Sequence, residues 1–351
     1  MRTYRCTCGN QLFYENNRCL RCGADLAFCP ACRRLAPLSL EPTGLYRCGH
    51  ADCGAELIKC DNYRRHQVCN RAIRWLSQPG RQERLCNCCR YNRVIPDLSA
   101  PGNRDRWRRL EAAKRRLFYT VDLLCLPYGR AEDGFSPPLS FEFKADTSDC
   151  EYQPGSGQPV LTGHANGRIT INIREADDEE REKLRVQFGE DQRTLLGHFR
   201  HEMGHYYWEL LVRGRAEDAC KAVFGDHDQP SYAEALVRHY GAGPPADWRQ
   251  RYISAYATMH PWEDFAETFA TFLDMVCLLD TAHHVGFSEL DVAERPALDA
   301  LVVEYQRIGI ALNEMNRAVG LSDPAPELLA PAVIEKLRFM DLLLARPSAS
   351  L

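Results

Sequence analysis

The spacing of apolar residues divides this chain of 351 residues into a part without regular periodicity and a part with it. Up to about residue 90, short segments alternate with turn residues. From Arg104, apolar residues recur at three-to-four spacing, which predicts a helix that Pro127 ends. The stretches 139–143 and 167–173 alternate apolar with polar residues and predict half-buried strands. Beyond residue 176 the pattern is helical, with amphipathic helices at about 297–318 and 328–345.

These patterns predict an α+β protein built from two modules. The stretch VIPDLSAPGN, residues 94–103, contains two prolines and a glycine and predicts a linker. The linker separates a cysteine-rich module at residues 1–93 from a mainly helical domain with a small sheet at residues 104–351.

Thirteen of the 17 cysteines lie at or before Cys89. The N-terminal stretch MRTYRCTCGN lacks the apolar core of a secretory signal. The longest apolar stretch, FATFLDMVCLL, is interrupted by Asp274 and is too short to span a bilayer. We therefore expect a cytoplasmic protein without a membrane span, in which clustered cysteines bind metal and do not form disulfides.

Twelve of these cysteines fall into three sets of four. Zinc prefers four thiolates in a tetrahedron, and a short hairpin presents two at once, so the paired cysteines of the first two sets predict two zinc ribbons. The third set is looser and leaves Cys88 over, so it predicts only a possible third structural zinc site. His50 in the second set and His66 in the third are alternative ligands. The sets are Cys6, Cys8, Cys19 and Cys22; Cys29, Cys32, Cys48 and Cys53; and Cys60, Cys69, Cys86 and Cys89.

Charge is distributed unevenly along the chain. Residues 1–120 carry 23 Lys and Arg against 10 Asp and Glu, and the remainder carries 21 against 38. The positive excess admits nucleic acid as a partner. Three zinc–thiolate sites would reduce the positive excess of residues 1–120 to roughly +7. Arginines without interleaved aromatic residues are typical of a solvated face, so we do not favour nucleic acid as a partner.

The stretch FRHEMGHYYW, residues 199–208, lies within a predicted helix that runs from Glu190 to Val212. His201 and His205 are four residues apart, so they lie on one face of the helix and can bind a single metal ion. Glu202 lies beside them, where it can accept a proton from a water that the metal activates.

Three further features support a metal site. RITINI, about 28 residues upstream of the motif, predicts an edge strand of the kind that pairs with an extended peptide. PWEDFAETFATFLDMV predicts a second helix, with Pro261 in its first turn and with Glu263 and Glu267 on one face. Gly204 removes a side chain beside the predicted metal face.

HEMGH followed by WEDFAETF resembles the gluzincin peptidases, in which two histidines and a downstream glutamate bind zinc. The whole chain, with its ribbons and its IPDLS stretch, is similar to the bacterial zinc-binding metallopeptidases that carry an N-terminal zinc ribbon. This resemblance implies a zincin-like zinc-peptidase fold but no particular substrate. Together with the cysteine sets, we expect one catalytic zinc ion beside two or three structural ones, and a protein or peptide as the substrate.

The resemblance also implies roles for single residues. Glu263 would be the third zinc ligand, Glu267 would hydrogen-bond a ligand histidine, and Tyr256 would stabilise the oxyanion. The interval of 58 residues between His205 and Glu263 is long and contains Glu234. Glu234 and Glu267 therefore stay open as alternative third ligands.

The remaining histidines have structural explanations. His198 is expected to pack or to face solvent, and His283 and His284 suit the negative end of a helix dipole. His260 is expected either to line the cleft or to cap a helix, and His227 is a loop residue within possible reach of a metal.

Two other functions stay open. One is a non-enzymatic adaptor whose ribbons bind protein or nucleic acid, and the other is an amidase or isopeptidase that uses the same zinc chemistry. An intact HExxH motif with downstream acids argues against the adaptor, because a retired site has no reason to keep its base. The sequence does not determine the substrate or the oligomeric state.

We expect four zinc ions per chain if all three cysteine sets and the histidine site bind metal. Native mass spectrometry of the purified chain measures this number directly. Zinc held only by the cysteine-rich part would favour the adaptor.

Overall fold

The computed structural model describes residues 1–76, 82–146, 160–188 and 193–345. Of the described residues, 47% are helical and 14% lie in strands, which confirms the α+β class. Within the described ranges the strands are β1 (Tyr4–Arg5), β2 (Gln11–Leu12), β3 (Leu26–Cys29), β4 (Arg34–Leu40), β5 (Tyr46–Cys48), β6 (Glu56–Lys59), β7 (Ala72–Arg74), β8 (Asn92–Val94), β9 (Ser140–Lys144), β10 (Gly163–Ala165) and β11 (Arg168–Asn172). The helices are α1 (Asp61–His66), α2 (Asn103–Leu123), α3 (Asp178–Phe188), α4 (Leu195–Tyr207), α5 (Glu217–Phe224), α6 (Tyr232–Ala242), α7 (Pro261–His284), α8 (Leu298–Ala318) and α9 (Pro331–Leu344).

The N-terminal part consists of short antiparallel strands that carry the cysteine pairs. Strands β1 and β2 form a two-stranded sheet, and β3 to β7 form a five-stranded sheet in chain order. Gly9, with φ of +84°, closes the turn directly after Cys8 and adopts a conformation that favours glycine. Such hairpins present cysteines at their ends, as the spacing of the cysteine pairs predicts.

Helix α2 joins the N-terminal part to the helical domain. Its apolar stripe, which includes Trp107, Leu110, Leu117 and Val121, has no solvent exposure. One continuous apolar core extends from the strands of the N-terminal part through α2 to the terminal helices α8 and α9. The two modules that the sequence predicts therefore pack against each other.

A four-stranded sheet with the order β10–β11–β9–β8 lies beside α2 and α4. Strand β8 pairs in parallel with β9, so Val94, in the predicted linker, belongs to this sheet. Strand β11 contains most of RITINI and pairs with β9 on one side and β10 on the other. The prediction that RITINI is an edge strand was therefore wrong. Among the described residues the neighbouring strand β10 forms this edge, because the turn at Asn166 and Gly167 folds it back onto β11.

Helix α4 begins later than the sequence pattern predicts. Thr194 caps it, because its hydroxyl accepts a hydrogen bond from the Gly197 N–H at 2.9 Å. The first part of the predicted helix, from Glu190 to residue 192, lies outside the described residues. After Tyr207 the helix widens into a π-helical turn, Trp208–Val212.

Helices α4 and α7 cross in close contact at Gly204. A Cβ atom at Gly204 would lie 2.8 Å from Ala266 Cα and 3.1 Å from the Ala266 carbonyl oxygen. The missing side chain at Gly204 therefore allows the backbones of the two helices to approach each other. The approach places the face of α4 that carries the two histidines against the first turns of α7.

Among the described residues, no helix combines the length and the apolar character that a membrane crossing requires.

We expect Gly204→Ala to lower the free energy of unfolding by about 1–3 kcal/mol, because the added methyl group meets backbone atoms that have no room to move. This loss outweighs the gain of about 1 kcal/mol in helix propensity. Urea denaturation of the zinc-loaded chain measures the difference. The matched control is Gly241→Ala in α6, where no atom lies within 4 Å of the new Cβ. Equal midpoints for the two variants would contradict the close contact.

Candidate active site and structural zinc sites

The twelve predicted cysteine ligands lie in three compact clusters. In each cluster the four sulfur atoms lie within 4.8 Å of one another. The Sγ–Sγ distances are 3.6 Å for Cys6 and Cys22 and 3.7 Å for Cys8 and Cys19. The second and third clusters contain pairs at 3.8 Å.

These distances match the geometry of a zinc–thiolate tetrahedron. Four sulfurs at about 2.3 Å from a central ion are separated by roughly 3.8 Å along each edge. A disulfide would need sulfurs at about 2.05 Å. All three clusters therefore fit zinc and do not contain disulfides.

The alternative ligands of these clusters lie apart from them. His66 packs against Trp107, with ring centroids 5.7 Å apart. Neither His50 nor Cys88 belongs to a cluster of potential ligands in the described part of the chain. Cys88 is fully buried next to the third cluster, and burial raises its pKa, so it stays a neutral thiol.

The third cluster lies against buried charges of α2. Glu111 accepts hydrogen bonds from Trp107 Nε1 at 3.1 Å and from Lys114 Nζ at 2.9 Å, and Arg115 donates to the Val68 carbonyl at 2.6 Å. Burial opposes the charged form of Lys114, but Glu111 and neighbouring cysteines raise its pKa. Four thiolates around Zn²⁺ carry a net charge of −2, and buried cations beside such a centre compensate that charge.

The two histidines of α4 and Glu263 of α7 bring one atom each to a common point. The distance from Glu263 Oε2 is 2.9 Å to His201 Nε2 and 3.4 Å to His205 Nε2, and the two Nε2 atoms are 3.1 Å apart. Ligands about 2.0–2.1 Å from a tetrahedral ion are separated by roughly 3.4 Å. Glu263 and His205 are almost completely buried, with 2% and 3% exposure.

The hydrogen bonds around these three atoms leave lone pairs that face one another. Glu267 Oε1 lies 2.6 Å from His201 Nδ1, and a carboxylate oxygen only accepts, so Nδ1 carries the proton and the neutral ring presents a lone pair at Nε2. Glu263 Oε2 is buried and has no hydrogen-bond partner among the described residues. Converging acceptors of this kind require a cation, so the donor set fits a zinc ion.

The ionisation of the three groups agrees with a site for positive charge. Burial opposes ionisation of Glu263, but His205 and His201 lower its pKa. Burial likewise opposes the charged form of His201, but the carboxylates of Glu263 and Glu267 beside its two ring nitrogens raise its pKa well above the usual value. The position between His201 Nε2 and Glu263 therefore favours a positive charge, which is either a proton or, with the ring neutral, a metal ion. Burial lowers the pKa of His205, so that ring stays neutral.

Aromatic rings hold His205 in place. The Trp262 ring stacks on it with centroids 3.6 Å apart and an angle of 25°. The ring of His164 from strand β10 lies 6.3 Å from that of His205, at an angle of 28°. Sequence reasoning missed both residues. The position of Trp262 directly before Glu263 was a usable signal, whereas nothing local marks His164.

Glu202 lies beside the three converging atoms and is 7% exposed. Its Oε2 atom has no hydrogen-bond partner in the described part of the chain. Burial raises the pKa of this carboxyl to about 7. A divalent cation nearby favours the ionised form and acts in the opposite direction.

Two tyrosines adjoin the site. The Tyr256 ring lies 6.0 Å from that of His201, and burial raises the pKa of Tyr256, so its phenol keeps its proton. Tyr232 donates a hydrogen bond from its hydroxyl to Glu263 Oε1 at 2.8 Å. Sequence reasoning missed Tyr232, which precedes Glu263 by 31 residues without any local pattern that connects the two.

Glu234 does not reach the converging atoms. It forms a capping box with Ser231, whose hydroxyl donates to Glu234 Oε2 at 2.7 Å. The face of α6 that approaches the site carries Tyr232 instead. Glu267 binds the outer nitrogen of His201, so of the three acidic candidates Glu263 is the one whose oxygen faces both histidines.

The other histidines lie outside the cluster of potential ligands. His260 caps α7, because its Nδ1 accepts from the Trp262 N–H at 3.1 Å. His227 packs against Trp208 with ring centroids 4.9 Å apart, and His198 forms an ion pair with Glu175. His284 Nδ1 lies 2.7 Å from the Asp280 carbonyl in the last turn of α7.

The described residues thus combine a helical domain that holds one buried set of potential cation ligands with three cysteine clusters that fit zinc. Residues 103–343 match the family model described as "Putative zinc-binding metallo-peptidase", and residues 3–100 match a zinc-ribbon domain. The chain belongs to this zinc-binding metallopeptidase family, which confirms the resemblance.

Three relatives are 37% identical over 350 residues, which cover 97% of this chain and 94% of each relative. They are proteins described as uncharacterized from Mycobacterium bovis and from the CDC 1551 and H37Rv strains of Mycobacterium tuberculosis. No solved structure matches the chain at a significant level.

We expect Cys86→Ala to lower the zinc content by one ion per chain, because Cys86 Sγ faces the other three sulfurs of the third cluster. Cys88→Ala is a matched control, since both side chains are buried and lie two residues apart. Zinc counting by native mass spectrometry checks the pair. Loss of one ion from the Cys88 variant, with full zinc in the Cys86 variant, would overturn the ligand assignment.

Proposed function

We propose that this protein is a zinc-dependent metallopeptidase, with His201, His205 and Glu263 as ligands of a catalytic zinc ion. The observation that carries the proposal is the convergence of three lone pairs next to the carboxylate of Glu202, whose Oε2 atom has no hydrogen-bond partner among the described residues. A closed structural site would have a fourth protein ligand, whereas this donor set leaves one position open, as catalytic zinc sites do.

Bound zinc would supply Lewis-acid polarisation of a substrate carbonyl and of the attacking water. Glu202 takes the proton from that water and delivers it to the leaving amine. Its burial suits this role, because a carboxylate with few hydrogen bonds keeps its basicity. Tyr256 donates a hydrogen bond to the developing oxyanion, since its phenol stays protonated.

Strand β10 is the element that suits an extended peptide. It is the outer strand of the four-stranded sheet, and His164 of β10 lies next to His205. An unpaired strand edge offers main-chain donors and acceptors to a peptide, so β10 takes the role that the sequence pattern assigned to RITINI.

The three cysteine clusters bind structural zinc, which brings the proposed content to four ions. Each cluster has four thiolates and therefore no open position for chemistry. Their role is to stabilise the N-terminal part, in which large apolar residues are few.

We expect Glu202→Gln to reduce peptide hydrolysis at least 100-fold, because general-base removal costs about 10²–10⁴ in rate. The variant should keep its full zinc content, whereas His201→Ala should lose the catalytic ion. Cleavage is measured by mass spectrometry of a peptide library incubated with the zinc-loaded full chain.

Glu179→Gln is the control, because this carboxylate on α3 is 80% exposed and remote from the site. Full activity of Glu202→Gln would remove the base assignment. A wild-type chain that binds four zinc ions but cleaves isopeptide or non-peptide amides alone would identify an amidase, and a chain that cleaves neither would indicate an adaptor.

A further inference from the structure

Helix α6 contacts the site through one face and is otherwise poorly buried. Tyr232, Ala235 and His239 follow one another at helical spacing, and Ala235 is the one buried residue of this helix. Val237 and Tyr240 are 75% and 62% exposed. A helix with so little buried apolar surface is held by few interactions, and each of those has a large share in keeping it in place.

One of these interactions joins α6 to a predicted zinc ligand. The Tyr232 hydroxyl donates to Glu263 Oε1 at 2.8 Å. This hydrogen bond occupies one oxygen of the carboxylate and leaves the other, Oε2, facing the two histidines. It therefore fixes both the rotation of the Glu263 carboxylate and the oxygen that the metal would meet.

The ring of Tyr232 meets the groups that hold the second histidine. It packs edge-on against Trp262 at 5.9 Å and against His260 at 5.4 Å. Trp262 in turn stacks on His205. A displacement of α6 would thus disturb the support of Glu263 and the aromatic packing around His205 together.

The same face of α6 adjoins Tyr256. The His239 ring lies edge-on to that of Tyr256 at 5.9 Å. The Tyr256 hydroxyl is close enough to the Tyr232 hydroxyl for a hydrogen bond. Burial is the largest cause of the raised pKa of Tyr256, the charge of Glu263 is the next, and the contact with Tyr232 adds to them. Helix α6 therefore covers the side of the site where Tyr256 stands.

We propose that Tyr232 is a positioning residue for the catalytic metal, and that α6 is a cover whose seating is coupled to metal binding at His201, His205 and Glu263. The proposal rests on the metal site of the proposed function but not on peptide hydrolysis. Metal binding favours the ionised, oriented Glu263 that Tyr232 holds, and linkage requires that a seated α6 strengthen metal binding by the same factor.

The test compares Tyr232→Phe with Tyr240→Phe, which removes another hydroxyl from α6. Zinc affinity of the weakest-bound ion is measured on the full chain by competition with a chelating dye. We expect Tyr232→Phe to weaken this affinity about 10–100-fold, the usual effect of removing a group that orients a metal ligand. Tyr240→Phe should change it less than twofold.

Hydrogen exchange of residues 232–242 provides a readout that a purely local stabilising role would not move. In the wild-type chain, zinc at the site should slow exchange in α6, and removal of that ion should restore fast exchange. In Tyr232→Phe, exchange in α6 should be fast with or without the ion. Unchanged affinity together with zinc-dependent protection in Tyr232→Phe would overturn the proposal.

The outcomes separate this proposal from the proposed function. A wild-type chain that binds no zinc at His201, His205 and Glu263 would overturn both. A wild-type chain that binds it, beside a Tyr232→Phe variant that binds it equally well, would overturn the role of Tyr232 alone. Circular dichroism tests whether both variants are folded. We expect that they are, because Tyr232 is 39% exposed and its hydroxyl is not needed for the core.

Discussion

The contact between α4 and α7 at Gly204 is the constraint on which the centre of this protein depends. Because no side chain stands between the two backbones there, the histidines of one helix meet the glutamate of the other at hydrogen-bonding distance. The groups that meet are buried acceptors, whose approach is unfavourable without a cation between them. Helix packing and the proposed metal binding would therefore support each other: packing assembles the potential ligands, and a bound ion would remove the cost of assembling them.

The N-terminal module is integrated into this arrangement by α2 and by a shared sheet. Strand β8 follows the last cysteines and pairs with β9 of the helical domain. The third cysteine cluster packs against α2, and α2 in turn packs against α4. The buried cations beside that cluster pair with Glu111, and they compensate the negative charge of a zinc–thiolate centre that lies against the apolar core. A segment with few large apolar residues thus obtains its stability from metal and from the domain it rests on.

The parts of the site differ in how firmly they are held. Helices α4 and α7 lie in the core, whereas α6 is exposed along most of its surface. This difference suits the proposed peptidase site, which would keep its ligands fixed and yet admit a peptide, because segments with little buried surface are the ones that move easily. The hydrogen bond from Tyr232 to Glu263 connects the two kinds of structure.

The sequence by itself determined the features that repeat with local geometry. Hairpin spacing identified the cysteine pairs, helical spacing placed His201 and His205 on one face, and both period-two stretches are strands. Only the tertiary structure decided which acid among Glu234, Glu263 and Glu267 faces the histidines. It also decided that β10 and not RITINI forms the edge of the described sheet, and that Tyr232 donates a hydrogen bond to Glu263. The reason is physical: neighbours within one helix or hairpin follow from the periodicity of the backbone, whereas contacts between residues tens of positions apart follow from how whole elements pack.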